Sequence, residues 1–171
     1  MKIAYLILLV FLSASTFAQK QREFRSLAEA EKNPEEVLIL NLSRQKLREF
    51  PIQVLNFPNL KILDLSKNKI SQLPIEIEQL QELKELDLSR NEIAILPKEI
   101  GSLIHLEKLI LYKNKVKAFP SSMEKLKNLN ILNIRGTIIP EKEIASLQNA
   151  LPKTNILFTK GCYCGNGILT E

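Results

Sequence analysis

The 171-residue chain has no Trp, one His, two Cys and five Gly, and each shortage excludes something. With aromatics at 6 % of residues, it lacks the exposed rings on which unpaired bases stack. A lone His provides no Cys–His or Ser–His–Asp constellation. His105 stands next to the core-type Leu106 at the end of a repeat, so it reads as a surface or packing residue. Two Cys cannot make a disulfide scaffold. Three of the five Gly lie beyond residue 160, which leaves no Gly-rich phosphate loop. No apolar run reaches the ~20 residues of a bilayer span. Neither catalysis nor a cofactor or metal is expected.

What the chain has in quantity is aliphatic: 30 Leu and 20 Ile. That is too apolar for a disordered chain, and the length suits one domain. Residues 1–18 stand apart. Lys2 is their only charge, Ile3 to Leu12 is unbroken apolar, and Ser13 to Ala18 is mostly small and mildly polar. This is the layout of a secretory signal peptide, with Thr16-Phe17-Ala18 as a cleavage site and 19–171 as the exported chain. No Cys adjoins the site, so lipid modification is not expected. The localisation expected is secreted, periplasmic or cell-surface, with no transmembrane segment in the mature chain.

From Val37 the sequence realigns with itself every 23 residues, and Val37, Leu60, Leu83, Leu106 and Leu129 open successive units. The second unit reads Leu60, Leu63, Leu65, Asn68, Ile70, Leu73-Pro74, Ile77, Leu80. The third and fourth repeat it through Asn91 and Asn114, and the first carries Gln45 in the Asn position. Three full copies and two edge variants of LxxLxLxxNxL resemble the leucine-rich repeat family, over residues 37–139. The Leu-Pro-x-x-Ile-x-x-Leu halves are similar to plant resistance proteins and secreted spirochaetal repeat proteins. The flanks Ala28–Pro34 and Ile138–Phe158 look like end pieces of the spirochaetal group.

The resemblance implies an α/β fold: a right-handed solenoid with a parallel concave β-sheet, short helical or 3₁₀ convex segments, and helical caps. The residues agree with it. The LxL alternation has period two and gives a short strand buried on one face. One unit cannot cover its own apolar edge, so five must stack. Asn68, Asn91 and Asn114 are expected to form a structural ladder that satisfies backbone groups where the chain leaves the sheet. Pro51, Pro74, Pro97 and Pro120 set φ where the convex segments begin. An N-terminal cap is expected over 19–36, with capping-box spacing at Ser26-Leu27-Ala28-Glu29 and a stop at Pro34. A C-terminal cap is expected over 140–158, as a helix from Glu141 to Leu151 and a last strand at Ile156-Leu157-Phe158. The two caps are expected to close both ends. A tail over 159–171 carries Cys162 and Cys164, read as an oxidised pair within or between chains, with free thiols or half a metal site as the alternatives.

Strand residues that face away from the core line up in columns on the concave face. One runs Ile39, Ile62, Glu85, Lys108, Ile131; the next Asn41, Asp64, Asp87, Ile110, Asn133; a third Ser43, Ser66, Ser89, Tyr112, Arg135. Asp64 and Asp87 read as part of a hydrogen-bonded polar stripe. Ile110 and Tyr112, close to Ile131, form an exposed apolar patch suited to a partner, unless the cap or tail covers it. Arg44, Lys67, Arg90 and Lys113 make a basic ladder flanked by Lys46, Lys69 and Lys115. It is suited to an anionic polysaccharide or is simply a solvated rim. Nucleic acid is disfavoured.

The resemblance implies recognition of a protein, possibly on a host or cell surface, through the concave sheet, with Ile110, Tyr112, Ile131, Arg135 and the ladder as the partner-binding residues. Polysaccharide binding and a structural role in the envelope are the alternatives. Five strands offer a footprint of roughly 400 Å², below the ~800 Å² per partner of a standard interface. Weak binding, contributions from the loops, or self-association are therefore expected.

Overall fold

The computed structural model describes residues 22–159. The expected signal peptide and both Cys lie outside them. Seven parallel strands form one sheet in chain order: β1 (Glu23–Phe24), β2 (Ile39–Asn41), β3 (Ile62–Asp64), β4 (Glu85–Asp87), β5 (Lys108–Ile110), β6 (Ile131–Asn133) and β7 (Asn155–Leu157). From β2 to β6 the register is the sequence period itself, since Ile39, Ile62, Glu85, Lys108 and Ile131 are successive partners. The middle residue of each of these strands, Leu40, Leu63, Leu86, Leu109 and Leu132, is fully buried. Full burial of such a side chain contributes about 1.5–3 kcal/mol, and here it recurs in every unit.

The convex side follows from proline. Pro51, Pro74, Pro97 and Pro120 hold φ between −66° and −73° with extended ψ. Each opens a five-residue 3₁₀ turn: Ile52–Asn56, Ile75–Gln79, Lys98–Ser102 and Ser121–Lys125. Three-residue hydrogen-bond spacing brings Val54, Ile77, Ile100 and Met123 inward, where they are buried.

At the N-terminal end, Ser26 accepts the Glu29 N–H at 3.2 Å and caps a four-residue helix, α1 (Leu27–Ala30). Pro34 opens a separate 3₁₀ turn, Pro34–Glu36, instead of ending that helix. Strand β1 precedes both and was not foreseen. It adds the fully buried Phe24 to the core and pairs with β2 at a spacing of 16 residues rather than 23. At the other end α2 (Glu141–Ala150) buries Ile144 and Leu147. It packs against the 3₁₀ turn Ser121–Lys125, so it takes the convex place of its unit instead of lying across the end of the sheet. Strand β7 is the last described strand, and its Ile156 is only half-buried.

Candidate binding face

The turn that follows each strand is built around one amide. Asn91 donates to the carbonyls of Leu65 and Leu88, both at 2.9 Å, and accepts the Ile70 N–H at 3.0 Å. Asn68 does the same with Leu42, Leu65 and Leu47. Asn114 does so with Leu88, Leu111 and Ile93. Each amide joins its own unit to the preceding one, and all three Asn are buried. In the fifth unit Thr137 stands in their column; its hydroxyl donates to Leu111 at 3.3 Å. In the first, Gln45 is exposed and reaches back to the Arg25 carbonyl at 3.0 Å. Among the described residues no buried side-chain polar atom lacks a partner. Each of the three Asn amides is thus committed to the backbone on both its donor and its acceptor side.

The second concave column is also largely spent on the backbone. Asn41, Asp64, Asp87 and Asn133 each accept the N–H two residues on, from Ser43, Ser66, Ser89 and Arg135, at 2.7–3.2 Å. These are Asx turns. The fourth unit breaks the pattern, with Ile110 and Tyr112 where the three preceding units have an Asx and a Ser. Ile110, Tyr112 and Ile131 are half-buried by adjacent strands rather than fully exposed. Ile110 forms one wall of a shallow depression of about 160 Å³, whose other side chains include Ile62, Asp64, Glu85, Asp87 and Lys108.

The basic ladder has a backbone property that charge counting does not show. Arg44, Lys67, Arg90 and Lys113 all have φ between +54° and +61°, in the left-handed region. Gly136, next in that column, has φ +68°. Lys46 joins them at +60° in the unit whose Asn is replaced by Gln45. The Tyr112 ring lies 5.7 Å from the Arg90 guanidinium and 5.3 Å from the Lys113 ammonium, within cation–π range.

Stacked strands, Asn-pinned turns and proline-opened convex segments thus recur from unit to unit. A family model described as a leucine-rich repeat region matches residues 76–152. A second, described as leucine rich repeat, matches 35–93. The chain belongs to the leucine-rich repeat family. Proteins of this family are typically protein-binding modules and generally non-catalytic. No curated protein matches the sequence.

Among solved structures, a leucine-rich repeat protein of Leptospira interrogans is similar at 26 % identity and a TM-score of 0.59, over 80 % of this chain and 46 % of that one. The BIR2 ectodomain from Arabidopsis thaliana is similar at 26 % identity and a TM-score of 0.53, over 58 % and 54 %. An internalin from Listeria monocytogenes shares the fold at 19 % identity and a TM-score of 0.54, over 71 % and 35 %. The chain thus spans about half or less of the length of these neighbours.

The rest of the repeat surface sorts into three groups. Three lysines elsewhere meet carboxylates one unit away: Lys84 with Glu107 at 2.9 Å, Lys108 with Glu85 at 3.4 Å, and Lys115 with Glu92 at 2.9 Å. The Lys115 hydrogen bond, reinforced by its charge, holds the Glu92 carboxyl below its usual range. His105 is exposed and borders a polar hollow with Lys84, Glu107, Lys127, Asn128 and Asn130. Large exposed apolar side chains are found away from the concave columns, at Ile52, Ile75, Ile95, Ile104 and Ile138. Among the described residues no cluster of three His, Cys, Asp or Glu could hold a metal, and no helix is long and apolar enough to cross a membrane.

Asp87 permits a pH prediction. Burial raises its carboxyl above the ordinary Asp value, against the opposing hydrogen bonds from Ser89. A raised folded-state value means that the folded chain holds this proton more readily than the unfolded one. The stabilisation from protonation is therefore complete below the ordinary Asp pKa and is lost as pH rises through the folded value. Asp87→Asn keeps an acceptor for the Ser89 N–H and removes the buried charge. Urea titrations between about pH 3 and pH 7 should show a flatter pH dependence and no loss at neutral pH. A loss there would mean that the bond to the charged carboxylate outweighs its burial.

Proposed function

We propose that this leucine-rich repeat chain is exported and recognises a protein partner through its concave sheet, centred on Ile110, Tyr112 and Ile131. The observation that carries the reading is the break in the second and third columns. Where three neighbouring units spend a polar pair on an Asx turn, the fourth puts an isoleucine and a tyrosine, with no backbone bond to the Ile110 side chain. That groups an aromatic and two aliphatic side chains on the C-terminal half of the sheet, at β5 and β6, and interface cores are enriched in such side chains. The Arabidopsis neighbour is an ectodomain, which accords with an exported chain meeting its partner outside the cell.

Seven strands widen the expected footprint to roughly 500 Å², still short of the ~800 Å² per partner of a standard interface. Binding is therefore moderate or is extended by the loop edges. The test is comparative capture from extracellular and cell-surface fractions by the wild type and by Ile110→Asp with Tyr112→Ala. Partners held by the patch should weaken by at least about tenfold in the variant, the cost of one interface anchor. An unchanged set of partners on a folded variant would move the site elsewhere. Recovery of the 19–171 form in envelope or medium, with its N-terminus at Gln19, tests the export step.

A further inference from the structure

We propose that the left-handed row Arg44, Lys67, Arg90 and Lys113, flanked by Lys46 and Lys69, is a binding rail for a linear anionic polysaccharide that runs along the solenoid axis. Three observations meet here. The first is backbone conformation. A Cβ-bearing residue at φ near +60° is held against its steric preference, and Gly or Asn is the economical choice there. The fifth unit makes that choice with Gly136. Four successive units before it instead carry the longest cationic side chains at that position. Backbone outliers of this kind collect at ligand clamps.

The second is pairing. Three nearby surface lysines sit against a carboxylate of the adjacent unit. Among the described residues none of the six rail cations has a carboxylate within 4.0 Å. The column Arg44, Lys67, Arg90, Lys113 carries no acidic residue, whereas the flanking column mixes signs, with Glu92 between Lys69 and Lys115.

The third is rigidity. The rail lies just beyond the strands, yet its backbone continues their ladder. The N–H of Arg44, Lys67, Arg90 and Lys113 donates to Ser66, Ser89, Tyr112 and Arg135 at 2.7–3.0 Å. The charges therefore rise from anchored Cα atoms at intervals of about 4.8 Å, and little loop order has to be created on binding. A single file of fixed positive charge fits a stiff, linear polyanion. Single-stranded nucleic acid fits less well, because the one ring on the rail, Tyr112, lies against its own cations and offers no run of stacking platforms. An acidic peptide would have to lose backbone freedom that a pyranose chain has already lost.

The test uses the full chain on immobilised heparin and chondroitin sulfate, with oligo-dT and polyglutamate as further probes. The wild type should be retained at low ionic strength and released by salt. Lys67→Gln, Arg90→Gln and Lys113→Gln together should weaken binding about 100-fold, at about fivefold per charge. The equal-charge triple Lys117→Gln, Lys125→Gln, Lys142→Gln should leave it nearly unchanged. Lys67→Gly, Arg90→Gly and Lys113→Gly should lose binding while Tm holds or rises, because glycine relieves the left-handed strain. Failure of the wild type to bind either polysaccharide, or equal losses in the on-rail and off-rail triples, would overturn the proposal. So would a lowered Tm in the Gly triple, or binding of oligo-dT or polyglutamate as tight as that of the polysaccharides. Arg90 and Lys113 lie over the Tyr112 ring, so the rail is separated from partner capture through Ile110 and Tyr112 by Arg44→Gln with Lys67→Gln, which should weaken polysaccharide binding and leave partner capture unchanged.

Discussion

Asn91→Ala is expected to destabilise the protein by about 3–5 kcal/mol, because three buried backbone groups lose their partner and each orphan costs about 1–3 kcal/mol. The groups are the Leu65 and Leu88 carbonyls and the Ile70 N–H, at 2.9, 2.9 and 3.0 Å from the amide. They belong to the second and third units, so the loss acts on an inter-unit interface, and in a stacked solenoid such interfaces hold the repeats together. Asn91→Asp should cost at least as much at neutral pH. A carboxylate keeps the acceptor for Ile70 but presents no donor to the two carbonyls, and its charge is buried. Gln45→Ala is the control. That side chain occupies the same column of the first unit but is exposed, and it should cost no more than about 0.5 kcal/mol. Urea denaturation of the three variants measures the ranking. An Asn91→Ala effect as small as that of Gln45→Ala would show that water replaces the amide and that the ladder is not structural.

Gly101→Val should cost about 3 kcal/mol, at the upper end of overpacking penalties, for a reason that lies in the adjacent unit. Gly101 is in the 3₁₀ turn Lys98–Ser102, and its conformation is one that any residue adopts. The next convex turn, however, comes so close that a Cβ on Gly101 would strike the Ser122 carbonyl and lie 2.7 Å from the Ser122 Cβ. Ser122 is held there by its hydroxyl, which donates to the Lys98 carbonyl. The backbone on one side and this bond on the other leave no room to yield. Ser122→Ala removes the tether, and in that background the Gly101→Val penalty should shrink, a coupling that a double-mutant cycle measures directly. Purely additive costs would mean that the two turns separate freely. Gly136 has both constraints, with φ at +68° and the Lys113 Cγ at 2.9 Å from a built Cβ. The rail stops at the fifth unit, where Gly136 occupies its column.

Much of this was legible in the sequence because a stacked repeat turns period into register. A column of residues 23 apart becomes a column of strand partners, so Leu63, Leu86 and Leu109 and the ladder Asn68, Asn91 and Asn114 could be placed before any coordinates. Strand β1 was not, because Glu23–Phe24 is two residues long and pairs off the period. The one signal was Phe24, an isolated aromatic in a charged stretch. The left-handed row was half legible. Its charges were plain, and Gly136 continuing the column was the cue that the position calls for positive φ, but a single Gly does not reveal that its basic predecessors share the conformation.

The sequence alone determined the repeat, the strands, the buried Leu columns and the amide ladder, since each is a local pattern that recurs and needs only stacking to become structure. Tertiary structure decided which free positions are available to a partner. Asp64 and Asp87 turned out to be committed to Asx turns, Ile110 and Tyr112 to be half-covered by neighbouring strands, and α2 to complete the convex row. It also set the rail cations apart from the lysines already neutralised by an adjacent carboxylate. Availability depends on what the next unit places within hydrogen-bonding or ion-pairing distance, and that distance is a property of the stack rather than of any one repeat.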